Sequence, residues 1–263
     1  MCPCSILCAR LNSDVWAMTA LLLTAVYITA SFVQGVTGFG FGLLSVPLVS
    51  LLFTPGEAVG MNAVVGTTNC VYAFILLRKL VNYKETTLLF LLSAAFVPLG
   101  AYFLVHVNKH LVLTVMGLMV VAVTLREFNP NRRHDSPIFH SRFSLIFPAL
   151  AGLLGGAFTA PGSAIVPYMF AREGDPHIAR ANLQYFFTLI SGVVIVSHLW
   201  TGNLNEQNAL RALPFIPVVF LFTKLGSMTA FRVRRDIFRR IVNSALLLLG
   251  LYLIIKNGIV IFR

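Results

Sequence analysis

The amino-acid sequence predicts an all-α fold, a polytopic transmembrane helical bundle built from two inverted repeats. Each repeat is predicted to contain a glycine-rich broken helix or re-entrant hairpin. Three observations lead to this prediction: the composition, the spacing of the charged residues, and an internal similarity between the two halves. Of the 263 residues, 57% are hydrophobic and 11% are charged, whereas soluble domains carry about 25% charged residues. So little charge cannot cover a soluble domain, and the 22 Phe residues exclude a disordered chain.

The charged residues divide the chain into apolar blocks. Asp, Glu, Lys and Arg are absent from the windows 15–56, 86–108, 143–171 and 181–205. A helix needs roughly 20 apolar residues to cross the bilayer, whereas a transmembrane barrel would show short alternating segments. We therefore predict helices over 15–33, 41–53, 58–77, 86–105, 111–126, 143–157, 163–171, 182–200, 212–231 and 237–256. The second and seventh are too short for ordinary crossings, and are either short tilted helices or the returning arms of re-entrant hairpins.

The two halves of the chain resemble each other at a nearly constant spacing. With Gly35 placed on Gly155, the matched pairs include Gly42–Gly162, Val46–Val166, Pro47–Pro167, Asn62–Asn182 and Thr68–Thr188. After an insertion near 201–211 the register resumes with Leu99-Gly100 on Leu225-Gly226 and Leu125 on Leu251. Internal repeats of this kind are typical of transporter folds. The predicted segments are an N-terminal tail (1–14), a first transmembrane repeat (15–127), a basic linker (128–142) and a second transmembrane repeat (143–263).

The basic residues predict the orientation of the two repeats. The largest basic clusters lie in Arg126–Arg142 and Lys224–Arg240, and the positive-inside rule places both on the cytoplasmic side. The first-repeat counterpart of the second cluster, His106–His110, carries one full charge, which suits an outer loop. The halves are then inverted relative to each other. Parallel repeats would place the five arginines of 232–240 outside, which is the weaker alternative.

A glycine-rich break interrupts each repeat before a short helix that contains proline. The breaks are Gly35–Gly42 and Gly155–Ser163. Glycine lets the backbone unwind and lets another group approach closely. Unwinding exposes N–H groups at a new helix N-terminus, which favours an anion, and two such termini at a repeat interface form a substrate site in several transporter folds. The alternative is that the glycines only allow tight helix packing.

The candidate substrate-binding residues lie at or near these breaks: Gln34, Thr37, Gly38, Gly40, Gly42, Asn62, Thr159, Gly162, Ser163, Asn182 and Gln184. Asn62 and Asn182 lead this set, with a hydrogen bond between helices as the alternative role. No carboxylate accompanies them, and neutral donors suit an anion better than a cation. Lys224 is either a counter-charge for that anion or a side chain that reaches the inner interface. His198 is either a proton-coupling group or an interface anchor.

No cofactor or metal site is predicted. Cys2, Cys4 and Cys8 lie close together in the tail, but their spacing matches no zinc-binding pattern. Cys70 lies in an apolar helix and is interpreted as a small core residue.

The segment Gln34–Pro47 (QGVTGFGFGLLSVP), followed by Glu57–Asn62 (EAVGMN), resembles the signature of the sulfite exporter TauE/SafE family. The second half repeats the pattern in weaker form through Pro161-Gly162, Val166-Pro167 and Ile178–Asn182. The resemblance covers about residues 15 to 256. It implies a multi-pass permease of the bacterial inner membrane for small sulfur-containing or organic anions. Phe39 and Phe41 interrupt the glycine cluster, and asparagines replace the family's frequent Thr or Ser, so the resemblance does not define the particular substrate.

Three classes of function follow from these features. The first is a secondary transporter that moves a small anion such as sulfite, a sulfonate or a related organic acid by alternating access between the repeats. The second is a membrane-embedded enzyme. The sequence argues against it, because it contains no H-E-x-x-H motif and no paired intramembrane carboxylates. The third is a structural membrane protein without substrate. The predicted partners are the small anion and the lipid bilayer, with no nucleic acid, and a homodimer is left open.

Overall fold

The computed structural model describes residues 3–128, 142–173, 175–230 and 235–261. This part of the chain forms α-helices joined by short turns, and it contains no β-strand. The helices are α1 (Pro3–Thr37), α2 (Phe41–Val49), α3 (Pro55–Leu77), α4 (Tyr83–Ala94), α5 (Val97–His106), α6 (Lys109–Phe128), α7 (Ile146–Phe158), α8 (Gly162–Arg172), α9 (Pro176–Trp200), α10 (Glu206–Ala212), α11 (Ile216–Thr229) and α12 (Arg235–Ile261). The predicted all-α fold is confirmed.

Seven helical segments within the described residues are long and apolar enough to cross a membrane. They are Trp16–Thr37, Pro55–Leu80, Tyr83–His106, Lys109–Arg126, Pro176–Trp200, Glu206–Thr229 and Arg240–Val260. Helices α2, α7 and α8 are shorter. These lengths fit the predicted polytopic bundle, in which short helices are interleaved with full crossings.

Some helix boundaries differ from those predicted. Helix α1 exceeds the predicted 15–33 at both ends, because the sequence between Pro3 and Gly35 contains no glycine or proline that would end a helix. The predicted helix over 86–105 is divided into α4 and α5. Pro98 explains the division, since its ring would clash with a helical carbonyl one turn earlier. The predicted helix over 212–231 is shortened by a similar division: α10 ends at Ala212, and α11 begins at Ile216.

The most extensive packing joins helices of opposite halves. Helix α1 packs against α11, its counterpart α7 packs against α5, and the equivalent pairs α3–α9 and α6–α12 also pack together. Helices α6 and α12 are antiparallel. Near the start of α6, His110 Nδ1 lies 3.0 Å from Asn257 Oδ1 near the end of α12, whereas Gly117 contacts Gly250 further along.

Glycines allow the closest of these approaches. A Cβ atom on Gly156 of α7 would overlap the carbonyl oxygen of Val97, and one on Gly100 of α5 would overlap that of Leu153. At the equivalent α1–α11 contact, a Cβ on Gly226 would lie 2.5 Å from a backbone oxygen of α1. The same backbone-to-backbone contact therefore occurs in both halves, which is the packing mode that small residues provide in membranes.

Parts of two predicted basic segments lie outside the described residues. Most of the basic linker predicted over 128–142 falls in the gap 129–141, and Arg232 and Arg234 fall in the gap 231–234. The basic residues that are described at this end of the bundle include Arg126 and Arg240. We call the end where α6 ends and α12 begins the basic end.

Candidate functional site

The first break joins α1 to α2 and is held open by glycine. Helix α1 ends at Thr37, and Gly38 and Gly40 follow with φ of 89° and 101°. These left-handed conformations favour glycine, since a side chain there would collide with the backbone. The Thr37 hydroxyl accepts a hydrogen bond from the Phe39 N–H at 3.3 Å, and the Gln184 amide donates to the Gly38 carbonyl. The unwound segment is thus fixed from both sides.

The second break joins α7 to α8 and approaches the first. Helix α7 ends at Phe158, and Thr159 adopts a left-handed φ of 48°, the sole non-glycine positive φ within the described residues. The Asn62 side chain donates a hydrogen bond to the Thr159 hydroxyl. A Cβ atom on Gly42 would overlap the Thr159 carbonyl oxygen. The two tips therefore touch through backbone, and glycine at 42 is what permits it.

A cavity of about 60 Å³ lies between the two tips and is closed laterally by α3 and α9; we call it the central cavity. Its polar lining comes from both halves: Gln34, Asn62, Thr67, Thr159, Ser163 and Ser191. The residues that line it include the first residues of α2 and of α8, Phe41 and Gly162. No charged side chain stands among the described residues that line it.

Asn62 connects three elements around the central cavity. It is 1% exposed, its amide donates to Thr159, and its oxygen accepts from the Ser45 hydroxyl of α2. On the opposite side, Gln34 donates to the Gln184 side chain at 3.4 Å. A buried amide without partners would cost several kcal/mol, so these bonds fix the donors and acceptors around the cavity in place.

A second cavity of about 200 Å³ lies towards the basic end; we call it the basic-end cavity. Its polar lining is Thr37, Thr124, Arg180 and Asn243. Phe39, Gly40 and Leu43 line both this cavity and the central one. The tip of the first break is therefore the wall between the two cavities.

Comparison with known proteins agrees with this architecture. The model of the sulfite exporter TauE/SafE family matches residues 23–253. The chain belongs to this family. It is also similar to the probable membrane transporter protein YunE of Bacillus subtilis (strain 168), with 24% identity over 91% of this chain and 99% of that protein. No solved structure matches the chain. Together with the seven membrane-length helices, these findings make the chain a multi-pass membrane transporter.

The structure brings together seven of the eleven candidate residues of this TauE/SafE chain. The residues that line the central cavity are Gln34, Gly40, Gly42, Asn62, Thr159, Gly162 and Ser163. Thr37 faces the basic-end cavity instead, and Gly38 and Gln184 bond to each other at the first tip. Asn182 lies apart. Its oxygen accepts from the Asn82 N–H at 2.7 Å and its amide donates to Glu173 at 2.8 Å.

Six residues with polar or thiol side chains line the two cavities but were not among the predicted site residues. Thr67, Cys70 and Ser191 line the central cavity, and Thr124, Arg180 and Asn243 line the basic-end cavity. Cys70 stands eight residues after Asn62, so the helical period places the two on one face of α3. The two ionisable residues considered separately, Lys224 and His198, line neither cavity. Lys224 is exposed, and His198 is buried with Nδ1 3.3 Å from the Asn203 amide.

Proposed function

We propose that this transporter moves a small anion by alternating access, with the substrate held in the central cavity. The observation that carries the proposal is the pair of helix N-termini, at α2 and α8, that line one cavity without an acidic side chain in its described lining. Each N-terminus bears a partial positive charge of about half an elementary charge. The Asn62 amide, which keeps one N–H beyond its bond to Thr159, adds a neutral donor that suits an anion.

The volume of the central cavity favours a small substrate. A water-sized group needs about 10–15 Å³ on this measure, so a cavity of about 60 Å³ holds roughly four to six such groups. Sulfite, with one sulfur and a few oxygens, is of that size, and so are small carboxylates. The description of the family as sulfite exporters makes sulfite the first substrate to test.

Inverted repeats account for the observed packing. Helices α6 and α12 are sequence equivalents and pack antiparallel. Two equivalent helices lie antiparallel when the axis that relates them is perpendicular to them. If both cross the bilayer, that axis lies in the membrane plane and the repeats have opposite topology. Helix α1 packs against α11, and their repeat equivalents α7 and α5 also pack against each other, which supports the same relation.

The two ends of the bundle differ in a way that supports alternating access. Thr124 and Asn243 line the basic-end cavity. Their repeat equivalents, 126 positions away, are Gly250 and Gly117, which are in contact: a Cβ on Gly117 would lie 2.8 Å from the Gly250 oxygen. A cavity therefore lies towards the basic end, whereas the equivalent positions towards the opposite end are packed together. Because the positive-inside rule assigns the basic end to the cytoplasm, this asymmetry supports an inward-facing state as one of the two states that the proposal requires.

Flux measurements on reconstituted protein test the proposal. We expect proteoliposomes with the wild-type chain to take up radiolabelled sulfite, with no uptake of methylammonium. Gly162→Leu should abolish uptake, because its side chain would fill the central cavity that Gly162 lines. Gly192→Leu is the matched control, since Gly192 on α9 has no neighbouring atom within 4 Å of its Cβ position. Absence of flux for every small anion, or wild-type flux in Gly162→Leu, would overturn the proposal.

A further inference from the structure

His198 lies on the face of α9 that borders the central cavity, one turn beyond the cavity itself. Phe187, Ile190 and Val194 line that cavity, and the helical period places His198 on the same face, four residues after Val194. The side chain is 0% exposed. Its Nε2 makes no hydrogen bond of ordinary geometry with the described residues, although the Gly156 carbonyl of α7 lies near the ring. A titratable group is therefore buried next to the central cavity.

The loop between α9 and α10, residues 201–205, packs against the start of α3 at the end opposite the basic end; we call it the closing loop. A Cβ atom on Gly60 of α3 would overlap the Asn203 carbonyl oxygen, and one on Gly56 would lie 2.6 Å from the Asn203 side-chain oxygen. The Asn203 amide nitrogen also lies 3.3 Å from His198 Nδ1. The closing loop is thus attached to α3 on one side and to His198 on the other.

The hydrogen bonds around Asn203 define the protonation of His198 Nδ1. The Thr201 hydroxyl donates to the Ser197 carbonyl at 3.0 Å, so its oxygen accepts from the Asn203 amide at 3.1 Å. An amide nitrogen carries two N–H donors and does not accept. Its second N–H faces His198 Nδ1, which must therefore be unprotonated. The closed arrangement requires a neutral His198 with its proton on Nε2.

We propose that His198 is a proton-binding site that controls the opening of the end opposite the basic end and couples anion transport to protons. A proton from the solvent at that end adds to the Nδ1 lone pair, and both ring nitrogens are then donors. The Nδ1–H and the Asn203 N–H would point at each other, so their hydrogen bond breaks and the closing loop loses this attachment. The inference rests on the proposed function for the coupling to transport, but not for the movement of the loop.

The other ionisable groups near His198 are paired elsewhere or exposed. Those on the helices around this end of α9 are Glu57 of α3, His106 of α5, and Glu206 and Arg211 of α10. Glu57 and Arg211 pair at 3.4 Å, whereas His106 and Glu206 are exposed. Helix α7 and the closing loop contain no charged residue. Glu85 of α4 and Arg172 of α8 pair at 3.9 Å near the start of α9, at the basic end. Within the described residues, none of these groups bonds to His198.

The linkage between proton binding and opening gives the sign and the limit of the effect. The closed state excludes the second proton and the open state admits it, so acid favours opening and a rise in pH restores closure. Histidine in water is half protonated near pH 6.5. If the open state alone binds the proton, lowering the pH from 8 to 5 raises the ratio of open to closed protein by up to about thirtyfold.

Spin labels measure this movement without any substrate. In a background with the four cysteines replaced by serine, the labels are attached through Leu52→Cys, before α3, and Gln207→Cys, on α10, which are both exposed positions. We expect electron paramagnetic resonance in detergent to show one short distance at pH 8 and a second, longer distance at pH 5. His198→Gln should keep the short distance at both pH values, because glutamine accepts from Asn203 without titrating. Glu57→Gln is the matched control and should move as the wild type does.

The same distances at pH 5 and pH 8 in the wild type, or a wild-type shift in His198→Gln, would overturn the inference. If His198→Gln does not fold, Asn203→Asp tests the same contact. A carboxylate accepts a charge-assisted hydrogen bond from a protonated Nδ1, so this variant should keep the closing loop in place at pH 5. Release of the loop at pH 5, as in the wild type, would count equally against the proton site.

Flux measurements separate this inference from the proposed function. In oriented proteoliposomes, acidification at the end opposite the basic end should raise sulfite flux from that side several-fold more in the wild type than in His198→Gln. Both proteins meet the same sulfite species, so the protonation of sulfite itself cancels in the comparison. Equal responses would contradict the coupling. If no anion is transported while the pH-dependent distance remains, the proposed function fails and the proton site stands.

Discussion

Asn62 is the residue at which α2, α3 and the second tip meet. Its amide and oxygen are both engaged, with Thr159 and Ser45, and it lines the central cavity. An asparagine can serve as donor and acceptor at once without charge. It therefore fixes the cavity wall and leaves the electrostatic field of the two helix N-termini favourable to an anion.

Substitution of Asn62 tests the sign of the substrate's charge. Asn62→Asp introduces a carboxylate beside the anion, and two like charges about 5 Å apart at an effective dielectric constant of about 20 repel by about 3 kcal/mol. We expect KM for sulfite to rise roughly a hundredfold, compared with roughly tenfold for Asn62→Ala, which loses hydrogen bonds worth about 1–2 kcal/mol. Initial rates in proteoliposomes measure both values. An aspartate variant no worse than the alanine variant argues against an anionic substrate.

Asn69→Ala is the control for this pair. Asn69 is buried on the same helix and accepts a hydrogen bond from Thr223 at 2.6 Å, but it does not line the central cavity. We expect this variant to lose stability while its KM for sulfite stays within about twofold of the wild type, since a neutral hydrogen bond contributes about 1 kcal/mol to folding. A KM change like that of Asn62→Ala would mean that stability, and not the cavity, governs transport.

The positive φ at Gly40 makes a prediction about stability. Gly40→Ala has steric room, since the nearest atom would be 3.8 Å from the new Cβ, but the left-handed conformation costs about 1–2 kcal/mol for an alanine. We expect the apparent Tm in detergent to fall by roughly 2–8 °C. Gly192→Ala, on an exposed helical position with nothing within 4 Å, should leave the Tm unchanged or raise it. Equal changes of Tm in the two variants would contradict a conformational requirement for glycine at position 40.

At the scale of the elements, the close α5–α7 contact positions the second hairpin. Gly156 lies two residues before the end of α7, and its Cα faces the Val97 carbonyl. Gly156→Ala forces the two backbones apart, and overpacking of this kind costs about 1–3 kcal/mol. We expect a lower Tm together with reduced sulfite flux, because α7 carries Thr159 at its end. Gly258→Ala on α12, which has open space, is the control for both readouts.

The elements show how far the sequence could predict the site. The glycine breaks, the short helices and the residues on them were predictable because glycine and proline act through the local backbone. Asn182, the repeat equivalent of Asn62, was predicted to bind substrate with it, yet it bonds Glu173 and the Asn82 backbone and does not line the central cavity. Repeat equivalence fixes where a residue lies on its helix. It does not fix which side chains stand opposite, and those differ between the halves.

Arg180 illustrates the same limit from the other direction. In the sequence, Arg180 directly precedes the charge-free window 181–205. A charged residue at such a boundary is normally solvated. The tertiary packing of α9 beside the first tip is what brings it into the basic-end cavity. Its repeat equivalent is Gly60, whose Cβ position is filled by the Asn203 carbonyl. One of two matched positions therefore lines a cavity while the other is packed.

At the scale of the whole molecule, the two ends of the bundle differ in packing, and alternating access would exchange the conformations of the two ends. Val242 lines the basic-end cavity, whereas its repeat equivalent Met116 is 1% exposed in an apolar cluster at the opposite end. If the repeats exchange conformations, the position of Val242 should close when that of Met116 opens. A ligand shifts such an equilibrium only through its different affinity for the two states.

Cysteine accessibility at this matched pair tests the exchange. In a background with Cys2, Cys4, Cys8 and Cys70 replaced by serine, Val242→Cys should react with a membrane-impermeant thiol reagent from the basic end, and Met116→Cys should react weakly from the opposite end. Gly117→Leu should wedge apart the contact with Gly250, because its Cβ alone would lie 2.8 Å from the Gly250 oxygen. We expect this wedge to slow labelling at 242 and speed labelling at 116, each by at least about threefold, which corresponds to a shift of about 0.7 kcal/mol. Labelling that rises at both positions would indicate general loosening of the bundle and would contradict an exchange between two packed states.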